Sequence, residues 1–115
     1  MIIKRGDILL VDFNPVKGSE QGKIRPAVVV QNDVGNIYAG TTIVVPITSS
    51  KPEKIYPTDV FASAEELGLK KEWSINCSQI ATVSIKHRVI KKLGSLNPET
   101  RNKVNEALKT SLALD

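Results

Sequence analysis

The chain has 115 residues, 41% of them hydrophobic and 24% charged, with a formal net charge of +4. That length suits one domain, 1–115, with a modest core, and no apolar run approaches the roughly 20 residues needed to span a membrane. One cysteine, Cys77, and one histidine, His87, allow neither an internal disulfide nor a cysteine–histidine ligand cluster, so a reducing cytoplasm and no metal or other cofactor are expected. The start, from Met1 to Asp7, lacks the apolar stretch and cleavage site of a secretory signal, in keeping with a cytoplasmic protein. The positive balance is compatible with an anionic partner such as nucleic acid, but is too mild to identify one.

Asp7 to Phe13 reads as a first strand, with Ile8-Leu9-Leu10-Val11 bounded by Gly6 and by Asn14-Pro15. A polar loop holding Lys17, Gly18, Ser19, Glu20, Gln21, Gly22 and Lys23 leads to a second strand from Pro26 to about Gln31. Asn32 to Asn36 is a turn cluster, and Thr41 to Thr48 a third strand. Pro46 inside that strand has no N–H for a ladder, which predicts an edge or a bulge there. A polar loop over 49–54 precedes a short strand over 57–61. Ser63 with Glu66 makes a capping-box pattern that opens one or two helical turns closed by Gly68. Trp73 to Thr82 alternates as a fifth strand with Ile75, Cys77 and Ile80 inward, and Val89 to Leu93 adds another after the basic turn Lys86-His87-Arg88. Asn97 caps a last helix with Pro98 in its first turn, and Val104, Leu108 and Leu112 form the stripe that packs on the sheet. Many short strands and one terminal helix predict a mostly β fold, a small SH3-like antiparallel β-barrel.

Two polar positions stand out at strand ends. Arg25 precedes a proline, which pushes its backbone toward an extended conformation at the mouth of the second strand. A guanidinium held there suits a phosphate, which it meets with two parallel hydrogen bonds, although an ion pair with Glu20 or Asp33 is the plainer alternative. Thr48 ends the third strand. Adjacent antiparallel strands bring the start of one near the end of the next, so its hydroxyl and Arg25 can reach one phosphate; the alternative is an ordinary β-branched strand residue. RNA can be cut without a metal by its own 2′-hydroxyl if a protein supplies a base, a proton for the leaving oxygen and charge stabilisation. Glu20, a carboxylate in the loop beside Arg25, is the candidate base, against a simple solvated acid. Ser19, Gln21, Ser49 and Gln79 carry groups able to read base edges, and Lys17 and Lys23 add charge beside Arg25. Tyr38 and Tyr56 are the loop aromatics available for stacking, whereas Phe13 and Trp73 read as core and His87 as surface.

Gly6-Asp7, Leu9-Leu10-Val11-Asp12-Phe13-Asn14-Pro15, Gly18-Ser19-Glu20-Gln21-Gly22, Arg25-Pro26-Ala27-Val28-Val29, Gln31-Asn32-Asp33, Thr42-Ile43-Val44, Ile47-Thr48-Ser49 and Gln79-Ile80 follow one another in an order and spacing that resembles the MazF/PemK family of toxin ribonucleases. The resemblance implies the same small barrel, shared with CcdB-like toxins. It implies sequence-specific cleavage of single-stranded mRNA without a metal, a homodimer, and a cognate antitoxin whose acidic tail covers the site. The matching arginine and threonine form the family's catalytic pair, so Arg25 is expected to stabilise the phosphorane-like transition state, with proton donation as a second role, and Thr48 to position the phosphate. One departure concerns Ser78-Gln79-Ile80-Ala81-Thr82, where family members often carry Glu-Gln-Ile-Arg-Thr, which implies altered RNA contacts along that strand. The alternative on the same fold, a non-enzymatic gyrase poison, acts through Trp-Gly-Ile where this sequence reads Leu112-Ala113-Leu114-Asp115.

Overall fold

The computed structural model describes residues 1–15, 23–49, 54, 56–69 and 73–115, without the side chains of Glu66 and Trp73. Seven strands and four helices follow in the order β1 (Asp7–Asp12), β2 (Ile24–Val29), α1 (Asp33–Tyr38), β3 (Thr41–Thr48), β4 (Asp59–Ala62), α2 (Ala64–Leu67), β5 (Trp73–Asn76), β6 (Ala81–Ser84), α3 (Ile85–Arg88), β7 (Val89–Ser95) and α4 (Pro98–Ser111) among the described residues. The strands pair antiparallel in the order β4-β5-β3-β2-β1-β7, with β6 beside the first half of β3. The fold is therefore mostly β with a C-terminal helix, as expected. No described pair joins the outer strands β4 and β7, so the expected barrel does not close through the ladder.

Because side chains alternate along a strand, the sheet carries two apolar faces, and both are covered. Ile8, Val28, Val45, Ile47 and Ile75 pack beneath α4 with Val104 and Ala107. Leu9, Val11, Ala27, Val29, Val44 and Val83 build the opposite core with Ile3. Removing an aliphatic side chain of this size from water contributes about 1.5–3 kcal/mol. α4 begins as predicted, with Asn97 accepting from the Thr100 N–H at 2.8 Å and Pro98 in the first turn. Its buried stripe is Thr100, Val104 and Ala107, with Leu108 partly buried; Leu112 caps the helix and is 54% exposed, so it does not pack as expected.

Two prolines shape the sheet. The Ile43 carbonyl accepts from the Val30 N–H at 2.8 Å, so odd residues of β3 turn their polar groups toward β2 and even ones away from it. Pro46 accordingly directs its missing donor away from β2, to the side where the partner of β3 changes from β6 (Val44 opposite Ala81) to β5 (Ile47 opposite Ile75). This is neither the edge nor the bulge expected of Pro46. It also explains why the single strand expected over 73–82 is two: β5 stops at Asn76, and a turn closed by the Gln79 N–H on the Asn76 carbonyl (3.1 Å) precedes β6. The second strand starts earlier than expected, at Ile24, so Pro26 lies within it, turned toward β3 with no N–H to give. The register between β2 and β3 runs from Val29–Val44 to Ala27–Pro46.

The expected turn over 32–36 is instead the start of α1. Asn32 caps it, accepting from the Gly35 N–H at 2.8 Å. The buried Asn36 carboxamide accepts from Gln31 Nε2 (3.0 Å) and from Thr42 Oγ1 (2.7 Å), while its own amide donates to the Gln31 carbonyl (3.1 Å). A Cβ at Gly35 would sit 3.0 Å from the Gln31 side chain, which would have to give by a few tenths of an ångström to admit it. No helix among the described residues is long and apolar enough to cross a membrane.

Candidate active site

Arg25 and Thr48 share one face of the sheet. Ala27 is opposite Pro46 and Val29 opposite Val44, and alternation places Arg25 on the face of Ala27 and Thr48 on the face of Pro46. Each lies two residues past the last pair, where the ladder between β2 and β3 stops. On the other flank Arg25 is opposite Val11 of β1. Both side chains are half-buried and meet solvent where the strands cease to be tied.

Thr48 has a positioning partner that sequence reasoning missed. It pairs with Ser74 of β5, and the Asn76 carboxamide two residues on donates to Thr48 Oγ1 at 3.3 Å. Asn76 in turn accepts from the buried Ser74 hydroxyl at 3.2 Å. With its oxygen accepting from Asn76, the Thr48 hydroxyl keeps its proton for an outside acceptor such as a phosphate oxygen. Only the polar residues 74, 76 and 78, alternating with apolar 75 and 77 in the expected strand, hinted at this chain, and they read equally well as an outer face.

Lys23 brings the chain into β2 with φ at 69°, its N–H donating to Asn14 Oδ1 (3.0 Å) and its carbonyl accepting from the Phe13 N–H (3.0 Å). Ser49 is exposed beside Thr48, and Gln79 is half-buried at the turn between β5 and β6. Lys17, Ser19, Glu20 and Gln21 lie outside the described residues. His87 is exposed in α3, as expected of a surface residue, and Tyr38 and Tyr56 are both exposed. Phe13 is half-buried against the second core and forms part of a groove of about 300 Å³ with Pro46, Gln79, Ala81 and Arg88. Arg88, part of the stretch read only as a basic turn, was missed because nothing in its own segment shows that β7 returns beside β1. Cys77 is fully buried, and desolvation together with Asp59 pushes its thiol up to about 12, which makes it a packed core thiol as the alternation predicted.

The family described as PemK-like, MazF-like toxin of type II toxin-antitoxin system matches residues 4–112. The chain is 44% identical over 114 residues to "Endoribonuclease EndoA" of Bacillus subtilis (strain 168), covering 99% of this chain and 97% of that protein. It is 42% identical over 113 residues to "Endoribonuclease MazF" of Staphylococcus saprophyticus, covering 98% and 93%. A solved endoribonuclease in complex with its cognate antitoxin, from a mycobacterial species, superposes with a TM-score of 0.81 at 25% identity, over 98% of this chain and 97% of that one. MazF from Deinococcus radiodurans has the same fold, with a TM-score of 0.82 at 23% identity over 98% of each chain. The chain thus belongs to the PemK-like, MazF-like toxins of type II toxin-antitoxin systems.

Proposed function

We propose that this chain, an endoribonuclease of its toxin family, cuts single-stranded mRNA at a preferred short sequence without a metal, using the RNA's own 2′-hydroxyl. The observation that carries the reading is the placement of Arg25 and Thr48 on one face at the end of the β2–β3 ladder. In the step itself the 2′-oxygen bonds to the adjacent phosphorus and the bond from phosphorus to the 5′-oxygen breaks. The products are a 2′,3′-cyclic phosphate and a 5′-hydroxyl. Arg25 neutralises charge building on the phosphate oxygens, and Thr48 donates to one of them and fixes its position. A guanidinium does not release its proton at neutral pH, so Arg25 acts through charge and the leaving oxygen is protonated from solvent. Glu20 takes the 2′-hydroxyl proton. Ser19, Gln21, Ser49 and Gln79 read the flanking bases, and Lys17 and Lys23 attract the strand.

The active form is a homodimer in the cytoplasm, inhibited by a cognate antitoxin whose acidic segment occupies the basic cleft around Arg25. The apolar residues of α1 support the dimer: Val34, Ile37 and Tyr38 are 68%, 70% and 82% exposed at helical spacing, a surface suited to a second copy. The sheet is read as the open form of an SH3-like barrel, with α4 across one face. The test is incubation of a long RNA in EDTA with mapping of the cut ends, beside Arg25→Ala and Thr48→Ala. Recurrent cuts at one short motif, strongly slowed in both variants, are expected. Intact RNA, or cuts that persist undiminished in both variants, would refute the mechanism.

A further inference from the structure

Arg25 follows Lys23 by two residues, and the backbone at Lys23 is left-handed. Its φ of 69° brings the lysine Cβ against the following carbonyl oxygen, a penalty that only a surrounding constraint can hold in place. Strand pairing does not supply that constraint. The Phe13 N–H donates to the Lys23 carbonyl at 3.0 Å, and a regular antiparallel pair would return the Lys23 N–H to the Phe13 carbonyl. That N–H donates instead to Asn14 Oδ1 at 3.0 Å. Asn14 is fixed in turn, because its own N–H donates to Asp12 Oδ1 at 2.9 Å. A side-chain oxygen thus replaces a ladder carbonyl where β1 and β2 part.

The start of β2 depends on this arrangement. The register with β3 begins only at Ala27, so Ile24 and Arg25 are set from the β1 side, where they pair with Asp12 and Val11. The next residue upstream is Lys23. Its return to a negative φ turns the chain by more than the roughly 10–20° that a catalytic geometry tolerates. Asn14 and Lys23 are both exposed, so water competes for their hydrogen bond and the bond adds little to global stability. What it decides is which backbone conformer Lys23 occupies.

We infer that Asn14 is a positioning residue for the phosphate site: its carboxamide oxygen holds Lys23 left-handed and so aims the start of β2, and with it the Arg25 guanidinium, at the phosphate. The inference rests on the ribonuclease reading above, which gives Asn14 no part. Asn14 acts through Arg25 and is not itself a catalytic residue.

The experiment measures kcat and KM for cleavage of a one-site RNA in EDTA, with thermal melting of every variant followed by circular dichroism. Asn14→Ala should lower kcat roughly 3- to 10-fold, the fraction of chains that lose the competent conformer, with the melting temperature within about 3 °C of wild type. Asn14→Asp keeps the acceptor and should hold kcat within about 2-fold, its added charge appearing in KM and fading with salt. Lys23→Gly, which adopts a positive φ freely, should recover much of kcat in the Asn14→Ala chain while its lost cation raises KM. In an Arg25→Lys background Asn14→Ala should cost less than about 2-fold more, because a flexible ammonium reaches the phosphate without being aimed. Wild-type kcat in Asn14→Ala, an equal loss in Asn14→Asp, or an undiminished loss in the Arg25→Lys background overturns the positioning role, while cleavage by wild type upholds the ribonuclease. Intact RNA with wild type itself overturns both.

Discussion

Asn76 offers the sharpest test of how the site is held. Asn76→Ala removes the donor to Thr48 Oγ1 at 3.3 Å and the acceptor of the buried Ser74 hydroxyl at 3.2 Å. A neutral hydrogen bond contributes about 0.5–1.5 kcal/mol net, and bonds this long belong in the lower half of that range. Freed from Asn76, Thr48 divides its time among rotamers, so a loss of roughly 2- to 5-fold in kcat follows, with KM nearly unchanged. Asn76→Asp is more damaging, because a carboxylate still accepts from Ser74 but turns the Thr48 hydroxyl into a donor toward itself. The proton meant for the phosphate then points the wrong way, and the added charge opposes the substrate; a loss of roughly 10-fold or more is expected. The assay is single-turnover cleavage of a one-site RNA in EDTA, repeated in a Thr48→Ala background. There Asn76→Ala should cost nothing further, since the two residues act as one unit, and Asn76→Asp should retain only its charge effect. Full activity in Asn76→Asp, or an undiminished Asn76→Ala loss in the Thr48→Ala background, would refute the reasoning.

Arg25→Ala removes the proposed charge-stabilising donor and should lower kcat roughly 100-fold or more, read by the same assay, with the fold intact by circular dichroism. Gly6→Ala should destabilise by at least about 1 kcal/mol, because Gly6 has φ at 92° and a Cβ there would lie 2.7 Å from Arg101 Nε; thermal melting reads this as a drop of several degrees. Cys77 should resist a thiolate-directed reagent at pH 8 until the chain unfolds. Its folded pKa is raised to about 12, so the protonated thiol favours the folded state: its contribution is fully present below the ordinary value of 9.0 and is lost as pH rises toward 12, a fall that Cys77→Ala should flatten in urea titrations. Asn97→Ala should cost about 1 kcal/mol by removing the cap on the Thr100 N–H, again seen in urea.

Most elements were legible because their apolar residues alternate or recur and their ends carry glycine, proline or a cap. β1 and α4 began where Asp7 and Asn97 predicted. α1 was hidden because its signal is inverted: Val34, Ile37 and Tyr38 face solvent, while the residue it buries is the polar Asn36. A turn-rich string with a buried asparagine announces itself only once Gln31 and Thr42 are seen to satisfy that carboxamide. Arg25 and Thr48 were singled out through strand ends and then through the family resemblance. Asn76 and Arg88 were not, since each acts on a neighbour distant in sequence: 28 residues separate Asn76 from Thr48, and 76 separate Arg88 from Asp12. Pairings at such range depend on register, which local pattern does not encode.

The two prolines connect these observations. β3 needs a donor from every residue to hold a neighbour on each side, and it lacks one at Pro46, while β2 lacks one toward β3 at Pro26. The first gap lets β6 give way to β5, which brings Asn76 diagonally against Thr48 and leaves the turn that carries Gln79 at the groove. The second coincides with the end of the β2–β3 ladder, so Arg25 and Thr48 flank an opening where paired strands would have left none. A site for an extended RNA strand needs such an opening lined by rigid strand residues, since loop-borne groups would have to be ordered at each encounter. Two absent N–H groups thus position the proposed catalytic pair of Arg25 and Thr48, its Asn76 support and the neighbouring groove on one side of the molecule.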